Sequence, residues 1–492
     1  MSDVRKKRIF YLTFLTSIPL IGSDFQFDFI SSIPMTFPDN FTWGIASAAY
    51  QIEGAALEDG RGLSVWDVFC RQPGRSFEGQ NGDLACDHYH RYKEDIALWK
   101  TIGPQAYRFS VSWPRVLPEG IGKINQKGLD FYDSLVDELL RNGIDPWITL
   151  FHWDFPYELM NRGGWLNRDS ADWFGDYAGV ICSKLSDRVS HWITFNEPTA
   201  FVSGHGGNLH APGLQLGMHD LARIHHHVLL AHGKAVQTIR SLAETAPQLG
   251  MAPCNYPGLP VSNSPEDIEA ARQYIFGPNA AAFNSTSAYY DCVFLGRFPE
   301  GWDSFVGEHA ARISDEDWKI ITESIDFTGL NNYYGHYVRM GEDGKPQELP
   351  PNPQRNLTAQ NFRGIAWEYT PETMYWGPKF FFERYGKPIY IFENGMCNRD
   401  WVSQDGKVHD PQRIEFLSQY MKQLEVAIDD GVDIRGYFHW GVMDDFEWPN
   451  GYTQRFGLIY VDFETQQRIL KDSAYFYKDV IASNGASLKA KE

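Results

Sequence analysis

From Phe41 onward the chain repeats one unit: a short apolar or aromatic run, then a longer stretch with apolar residues at helical spacing. The runs are Trp43 to Tyr50, Ala106 to Trp113, Pro146 to Trp153, Trp192 to Glu197, Leu249 to Cys254, Ile325 to Asn331, Pro388 to Glu393 and Gly436 to Val442. Runs of this length and aromatic content read as buried strands. The segment from Gly128 to Ile144 shows the helical partner, with Leu129, Tyr132, Leu135, Val136, Leu139 and Leu140 on one face before the stop at Asn142-Gly143. A strand followed by a helix, eight times over, predicts an α/β fold: a single parallel (β/α)₈ TIM barrel with extended βα loops. At roughly 150 residues per domain the 492-residue chain has room for about three domains, but such barrels run past 400 residues as one unit. No Pro/Ser linker or low-complexity tract divides it, and Gly341 to Arg363 reads as an exposed excursion. The expected organisation is an extension over residues 1–34, a catalytic barrel over 35–485 and a tail over 486–492.

Polar residues gather where the strand runs end: Gln51, Arg108, His152, Asn196 with Glu197, Asn331 with Tyr333, Glu393, and Trp440 followed by Glu447 and Trp448. In a barrel those ends converge on one face, where active sites lie. Glu197 (in HWITFNEP) and Glu393 (in IYIFENG) each follow an apolar run that would desolvate a carboxyl group. A pair of carboxyls across a pocket is what glycosidic bond cleavage needs: one protonates the departing oxygen while the other stabilises or traps the oxocarbenium-like carbon. No metal or cofactor is required.

Composition narrows the partners. With 44 Lys plus Arg against 63 Asp plus Glu, the formal charge of -19 repels nucleic acid and acidic membranes. Sixteen Trp and twenty-five Tyr offer flat faces that suit sugar rings. Six scattered cysteines form no metal-type pair, so buried thiols are expected. The run His225, His226, His227 lies in an amphipathic stretch, where adjacent side chains diverge by about 100°, and reads as a structural helix. At the N-terminus, basic MSDVRKKR precedes the apolar run Ile9 to Gly22, the order of a signal peptide. No A-x-A site follows, and MTFPDNFTWG from Met35 reads like a domain start, so a targeting segment and an upstream extension stand as equal readings. The run is too short for a confident membrane span. A cytoplasmic location is expected, with secretion the alternative if residues 1–34 act as a signal.

Seven motifs in order, FTWGIASAAYQIEG, YRFSVSWPRVLP, LFHWDFP, TFNEP, DFTGLNNYY, YIFENG and GYFHWGVMDDFEWPNGYTQRFGLIYVDF, closely resemble the retaining β-glucosidases of glycoside hydrolase family 1. The resemblance covers about Phe37 to Ile481. It implies a (β/α)₈ barrel, retention at the anomeric carbon, Glu197 as general acid/base and Glu393 as nucleophile. Gln51, His152, Asn196, Glu447 and Trp448 match positions that bind the terminal sugar, and Asn331 is grouped with them. Trp440 matches the aromatic floor under that sugar, Arg108 and Tyr333 match groups that hydrogen-bond the nucleophile and keep it ionised, and Trp367 resembles a tryptophan lining the leaving-group site. The implied substrate is a short β-glucoside or cello-oligosaccharide, with a β-galactoside or β-fucoside as the alternative.

Departures from the family pattern are Phe392 where Thr is commoner, and Gly441 and Asp445 where Ser and Asn are commoner. In similar phospho-β-glycosidases the Glu447 position is typically Ser, with a Lys and a Tyr to hold the phosphate. Glu447 is therefore expected to repel a 6-phosphate. Glu197, rather than the Gln of the plant thioglucosidases, favours an O-glycosidase.

Overall fold

The computed structural model describes residues 37–352 and 367–489. All eight predicted strand runs form strands: β1 Thr42–Ala46, β2 Ala106–Ser110, β3 Asp145–Phe151, β4 His191–Asn196, β5 Gln248–Ala252, β6 Thr328–Asn331, β7 Ile389–Asn394 and β8 Ile434–Trp440. They pair in parallel in the order β5-β4-β3-β2-β1-β8-β7-β6. A parallel bridge between Cys254 and Asn331, with the Asp326 amide donating to the Leu249 carbonyl at 2.8 Å, joins the two ends into a barrel. The strands are buried almost throughout, as expected for a sheet covered on both faces.

Helices wrap the outside: α1 His88–Ile102, α2 Gln126–Arg141, α3 Ser170–Leu185, α4 Met218–Leu242, α5 Pro265–Phe276, α6 Thr373–Tyr385, α7 Pro411–Asp429 and α8 Asp472–Ala482. Their limits follow local chemistry. Ser264 caps α5 by accepting from the Asp267 amide, with Pro265 in the first turn. The stretch after α2 turns at Gly143, whose φ of 77° suits glycine. The buried face of α2 is the predicted one widened by Phe131 and Gly128, while Leu140 falls outside it at 38% exposed.

Inside the barrel, under the strand ends, lies a second apolar cluster that includes Trp147, Phe327, Phe392, Phe438 and Trp440. This accounts for Phe392. Its ring sits 5.4 Å from Phe438 and 5.6 Å from Phe327, and the Arg108 guanidinium lies over it at 5.3 Å. Gly329 makes the room, because a Cβ there would stand 2.4 Å from the Phe392 ring.

The structure differs from the sequence expectations at edges. Tyr50 and Gln51 belong to a short helix, Ala49–Ile52, after β1, and Trp113 opens another, Trp113–Val116. The predicted excursion begins as structure: Pro346–Glu348 pairs antiparallel with His336–Met340, which pairs with Gly258–Pro260. Residues 353–363 of that excursion lie outside the described residues, as do 1–34. Past residue 485 the chain continues as the turn Ala486–Lys489, with Leu488 buried. No helix among the described residues is long and apolar enough to cross a membrane.

Candidate active site

The predicted site residues lie in the barrel strands or in the loops that follow them, with Trp367 just ahead of α6, and hydrogen bonds link most of them into one network. Glu197 follows β4 in a left-handed conformation, φ 45° and ψ 59°, which turns the chain into the helix Pro198–Gly204. A non-glycine residue held there costs on the order of 1–3 kcal/mol, a pattern typical of functional sites. Its amide donates to the Ala252 carbonyl at 2.7 Å, which fixes the turn against β5. Glu393 lies within β7.

Glu393 accepts from Arg108 Nη1 at 2.6 Å on one carboxylate oxygen and from the Tyr333 hydroxyl at 2.8 Å on the other. Arg108 also donates to Asn196 Oδ1 at 2.6 Å, and Asn331 Nδ2 donates to Asn196 Oδ1 and Glu197 Oε1, both at 2.9 Å. With its oxygen so engaged, Asn196 presents its NH₂ to His152 Nε2 at 2.9 Å. His152 must then accept at Nε2, leaving Nδ1 as the N–H donor. Burial, followed by the nearby Arg108 charge, holds His152 well below the usual imidazole range, so the ring is neutral.

A second group surrounds Gln51. Its Nε2 lies near three acceptors, the Phe446 carbonyl at 3.0 Å and carboxyl oxygens of Asp445 and Glu447 at 3.3 Å each. That fixes the amide: Oε1 faces away, buried and without a protein partner among the described residues. Asn331 Oδ1 and Asp445 Oδ2 are in the same state. Trp440 and Trp448 lie close to parallel with His152, at 5.6 and 5.9 Å. Trp367 packs on Tyr333 at 4.8 Å. All twelve predicted residues fall in these connected clusters.

The two glutamates differ electrically. Burial, then the negative charge of Glu393, pushes Glu197 up to about 7. Burial also raises Glu393, but the charge and hydrogen bond of Arg108 and the hydroxyl of Tyr333 oppose it. Glu447 is pushed up to about 8, first by burial and then by Glu393 and Glu197. Asp445 is raised by burial and by Glu447. Four buried carboxyl groups cannot all ionise together, and the arginine contact favours Glu393 as the anion. Glu447 is thus pushed toward its protonated form by its buried setting, which an isolated Glu in the sequence does not reveal.

Sequence reasoning missed Cys254 and Tyr256, beyond β5. The Cys254 amide donates to the Thr199 hydroxyl at 3.1 Å, burial and then the charge of Glu197 hold its thiol well above the usual range, and the Tyr256 ring meets Tyr334 at 5.1 Å. It also missed Trp153, whose indole donates to the Asn196 carbonyl at 3.2 Å. None of these three carries a formal charge at neutral pH, so none stood out among the polar residues at the strand ends. The three adjacent histidines diverge as expected for a structural helix: His225 bonds the Ala288 carbonyl, His226 bonds Asp317 and His227 bonds the Trp165 carbonyl.

Known proteins resemble this chain over most of its length. The chain is 44% identical over 454 residues to a 1,4-β-D-glucan glucohydrolase of Thermotoga neapolitana, covering 91% of this chain and 99% of that protein. It is 43% identical over 456 residues to β-glucosidase A of Acetivibrio thermocellus, covering 92% and 99%. The solved β-glucosidase from Thermotoga maritima in complex with glucoimidazole superposes with a TM-score of 0.83 at 42% identity, covering 92% of this chain and 100% of that one. The sequence profile named Glycosyl hydrolase family 1 matches residues 33–486, the whole barrel, and with these relatives it establishes that the chain belongs to that family.

Proposed function

We propose that this protein is a retaining exo-β-glucosidase that removes terminal β-D-glucosyl residues from short β-glucosides, with Glu393 as nucleophile and Glu197 as general acid/base. The observation that carries the reading is the unequal setting of the two glutamates. Glu393 is held by a guanidinium and a phenol, which suits an anion, while Glu197 sits near 7, which suits an acid that must also act as a base.

In the first half-reaction a Glu393 oxygen attacks the anomeric carbon from the face opposite the leaving group. The glycosidic C–O bond breaks, and Glu197 gives its proton to the departing oxygen. Esterification removes the charge of Glu393, so Glu197, now deprotonated, takes a proton from water as that water attacks the same carbon. The ester bond breaks, Glu393 leaves as carboxylate and two inversions give net retention. Asn196, beside both Arg108 and Asn331, is suited to the 2-hydroxyl, and Gln51 and Glu447 to the hydroxyls at the far side of the ring. The open acceptors of Gln51 and Asn331 and the neutral donor of His152 supply the mixed partners a polyol requires. The acidic groups around Gln51 favour an unphosphorylated sugar. The names of the relatives, a β-glucosidase and a 1,4-β-D-glucan glucohydrolase, support glucose in the pocket and cello-oligosaccharides as substrates.

Azide separates the two roles. With Glu197→Ala, an activated nitrophenyl glucoside still esterifies Glu393, and azide, which needs no base, gives the β-glucosyl azide. With Glu393→Ala, azide fills the vacated nucleophile position and gives the α-glucosyl azide. Proton NMR of the anomeric centre reads the outcome, and the opposite pairing of product and variant means the roles are reversed.

A further inference from the structure

Gly441 and Asp445, two departures from the family pattern, meet just beyond β8. A Cβ added at Gly441 would stand 3.4 Å from Asp445 Oδ2, with the Met443 carbonyl equally near and nothing nearer. That oxygen is buried and has no partner among the described residues, while Oδ1 lies 3.3 Å from Gln51 Nε2. The carboxyl therefore has one engaged oxygen and one facing a glycine.

The backbone around it is pinned on both sides. Asp444 accepts from Lys471 Nζ at 2.6 Å, Arg455 Nη1 at 2.7 Å and the Gly457 amide at 3.0 Å. The Phe446 amide donates to the Gln51 carbonyl at 3.2 Å, and the Glu447 amide to the Gly451 carbonyl at 2.7 Å. Both cations are spent on Asp444, and the donor that reaches the Asp445 carboxyl is Gln51.

An ionised oxygen buried without a donor is costly, and a proton on Oδ2 removes the charge while Oδ1 still accepts. Burial, then the charges of Glu447, Asp444 and Glu393, push Asp445 well above the usual carboxylate range, against the pull of Lys471. Cys86, ahead of α1, and Tyr452 also face it, and its charge would raise both. In the protonated form Asp445 offers one acceptor and one donor, as an asparagine does.

Gln51 has two N–H bonds on Nε2 and three acceptors within reach: the Phe446 carbonyl at 3.0 Å, and Asp445 and Glu447 at 3.3 Å each. Asp445 and Glu447 therefore compete for the second N–H. Where Asp445 takes it, a Glu447 oxygen stays open and Gln51 Oε1 stays turned away from the loop.

We propose that Asp445 is a positioning residue: by accepting from Gln51 it keeps the Gln51 carbonyl and the Glu447 carboxyl free for the sugar, and so sets how strongly the pocket demands hydroxyls at the far side of the ring. This rests on the β-glucosidase reading and on Gln51 and Glu447 as sugar-binding groups.

The test is initial rates of the full chain on 4-nitrophenyl β-glucoside and on 4-nitrophenyl β-xyloside, which lacks the hydroxymethyl group, for the unaltered protein, Asp445→Leu and Asp445→Asn. Leu keeps the bulk and removes the acceptor, so kcat/KM should fall about tenfold more on the glucoside than on the xyloside, the worth of about one hydrogen bond, and mainly through KM. Asn keeps the acceptor, so Asp445→Asn should restore the glucoside value to within about threefold, with the alkaline limb of the pH profile unmoved because no charge has changed. Equal losses on both substrates, or no loss in Asp445→Leu, overturn the proposal. So does an Asp445→Asn protein as impaired as Asp445→Leu, or one whose alkaline limb moves to lower pH, because the charge of Asp445 and not its acceptor would then be what matters. The Asp445→Asn comparison decides even where Asp445→Leu fails to fold. If the unaltered protein releases no nitrophenol from the glucoside, the β-glucosidase reading itself fails; if it does and the variants depart from these outcomes, only the role of Asp445 fails.

Discussion

Replacing Glu393 by Gln removes one negative charge from the pocket while keeping the side chain's size, and the proton affinity of Glu197 should report the loss. At the separation of about 5 to 5.5 Å that retention requires, two unit charges in a medium of effective dielectric about 20 interact by about 3 kcal/mol. That is about 2 pH units. The larger cause of the raised value, burial, is untouched, and Arg108 loses its carboxylate partner and lowers Glu197 further. The titration midpoint of Glu197, about 7 with Glu393 ionised, should therefore fall to about 5. The sign is fixed: with the neighbouring charge gone, the carboxylate forms at lower pH. Proteins carrying ¹³C-labelled glutamate, with Glu197→Gln to assign the signal, give the midpoint by NMR. The intermediate trapped with a 2-fluoroglucoside should titrate like Glu393→Gln, because esterification also removes the charge. A midpoint that stays near 7 in both would mean that burial alone sets it and that the switch between acid and base has another origin. A rise would mean that Glu393 was not the anion.

Other consequences are open to direct measurement. Glu447→Ser removes one carboxyl from the group around Gln51, so turnover of β-glucosides should drop at least about tenfold while the bar against a 6-phospho-β-glucoside relaxes; unchanged rates on both would misplace this loop. Phe392→Thr empties part of the barrel interior and withdraws the ring beneath Arg108, so it should cost about 3 kcal/mol in denaturant unfolding and lower kcat. Lys471 is fully buried, with its ammonium 2.5 Å from Asp400 and 2.6 Å from Asp444, so Lys471→Met should destabilise the fold by about 3–5 kcal/mol, read as a lowered melting temperature. A protein starting at Met35 should keep its activity on 4-nitrophenyl β-glucoside, since β1 begins at Thr42; an insoluble or inactive product would tie residues 1–34 to the barrel.

The parts of this molecule that were legible in the sequence are those where one physical demand falls on consecutive residues. A strand buried on both faces must be apolar throughout, so β3 and β7 announce themselves, and a polar residue just past such a run has few reasons to be there other than chemistry. Glu197 and Glu393 were visible on that ground, and Arg108 as a charge set inside such a run. What was not legible depends on residues meeting from distant segments. Gln51 reads as the end of a strand, yet it sits on a separate helical turn, where it reaches Asp445 and Glu447 almost four hundred positions away. Phe392 reads as a departure until Gly329 appears beneath it, an exchange of bulk between neighbouring strands that neither residue reveals alone. Cys254 and Tyr256 carry no charge and fit no pattern, and only the pairing of β4 with β5 brings the end of β5 up to Glu197. The charge of Glu447 belongs to the same class. An isolated Glu reads as an anion, but four carboxyl groups gathered at one barrel mouth must share fewer than four charges. The guanidinium decides where the negative charge rests, so Arg108, by holding Glu393 and Asn196 together, leaves Glu197 as the carboxyl that can keep a proton to give.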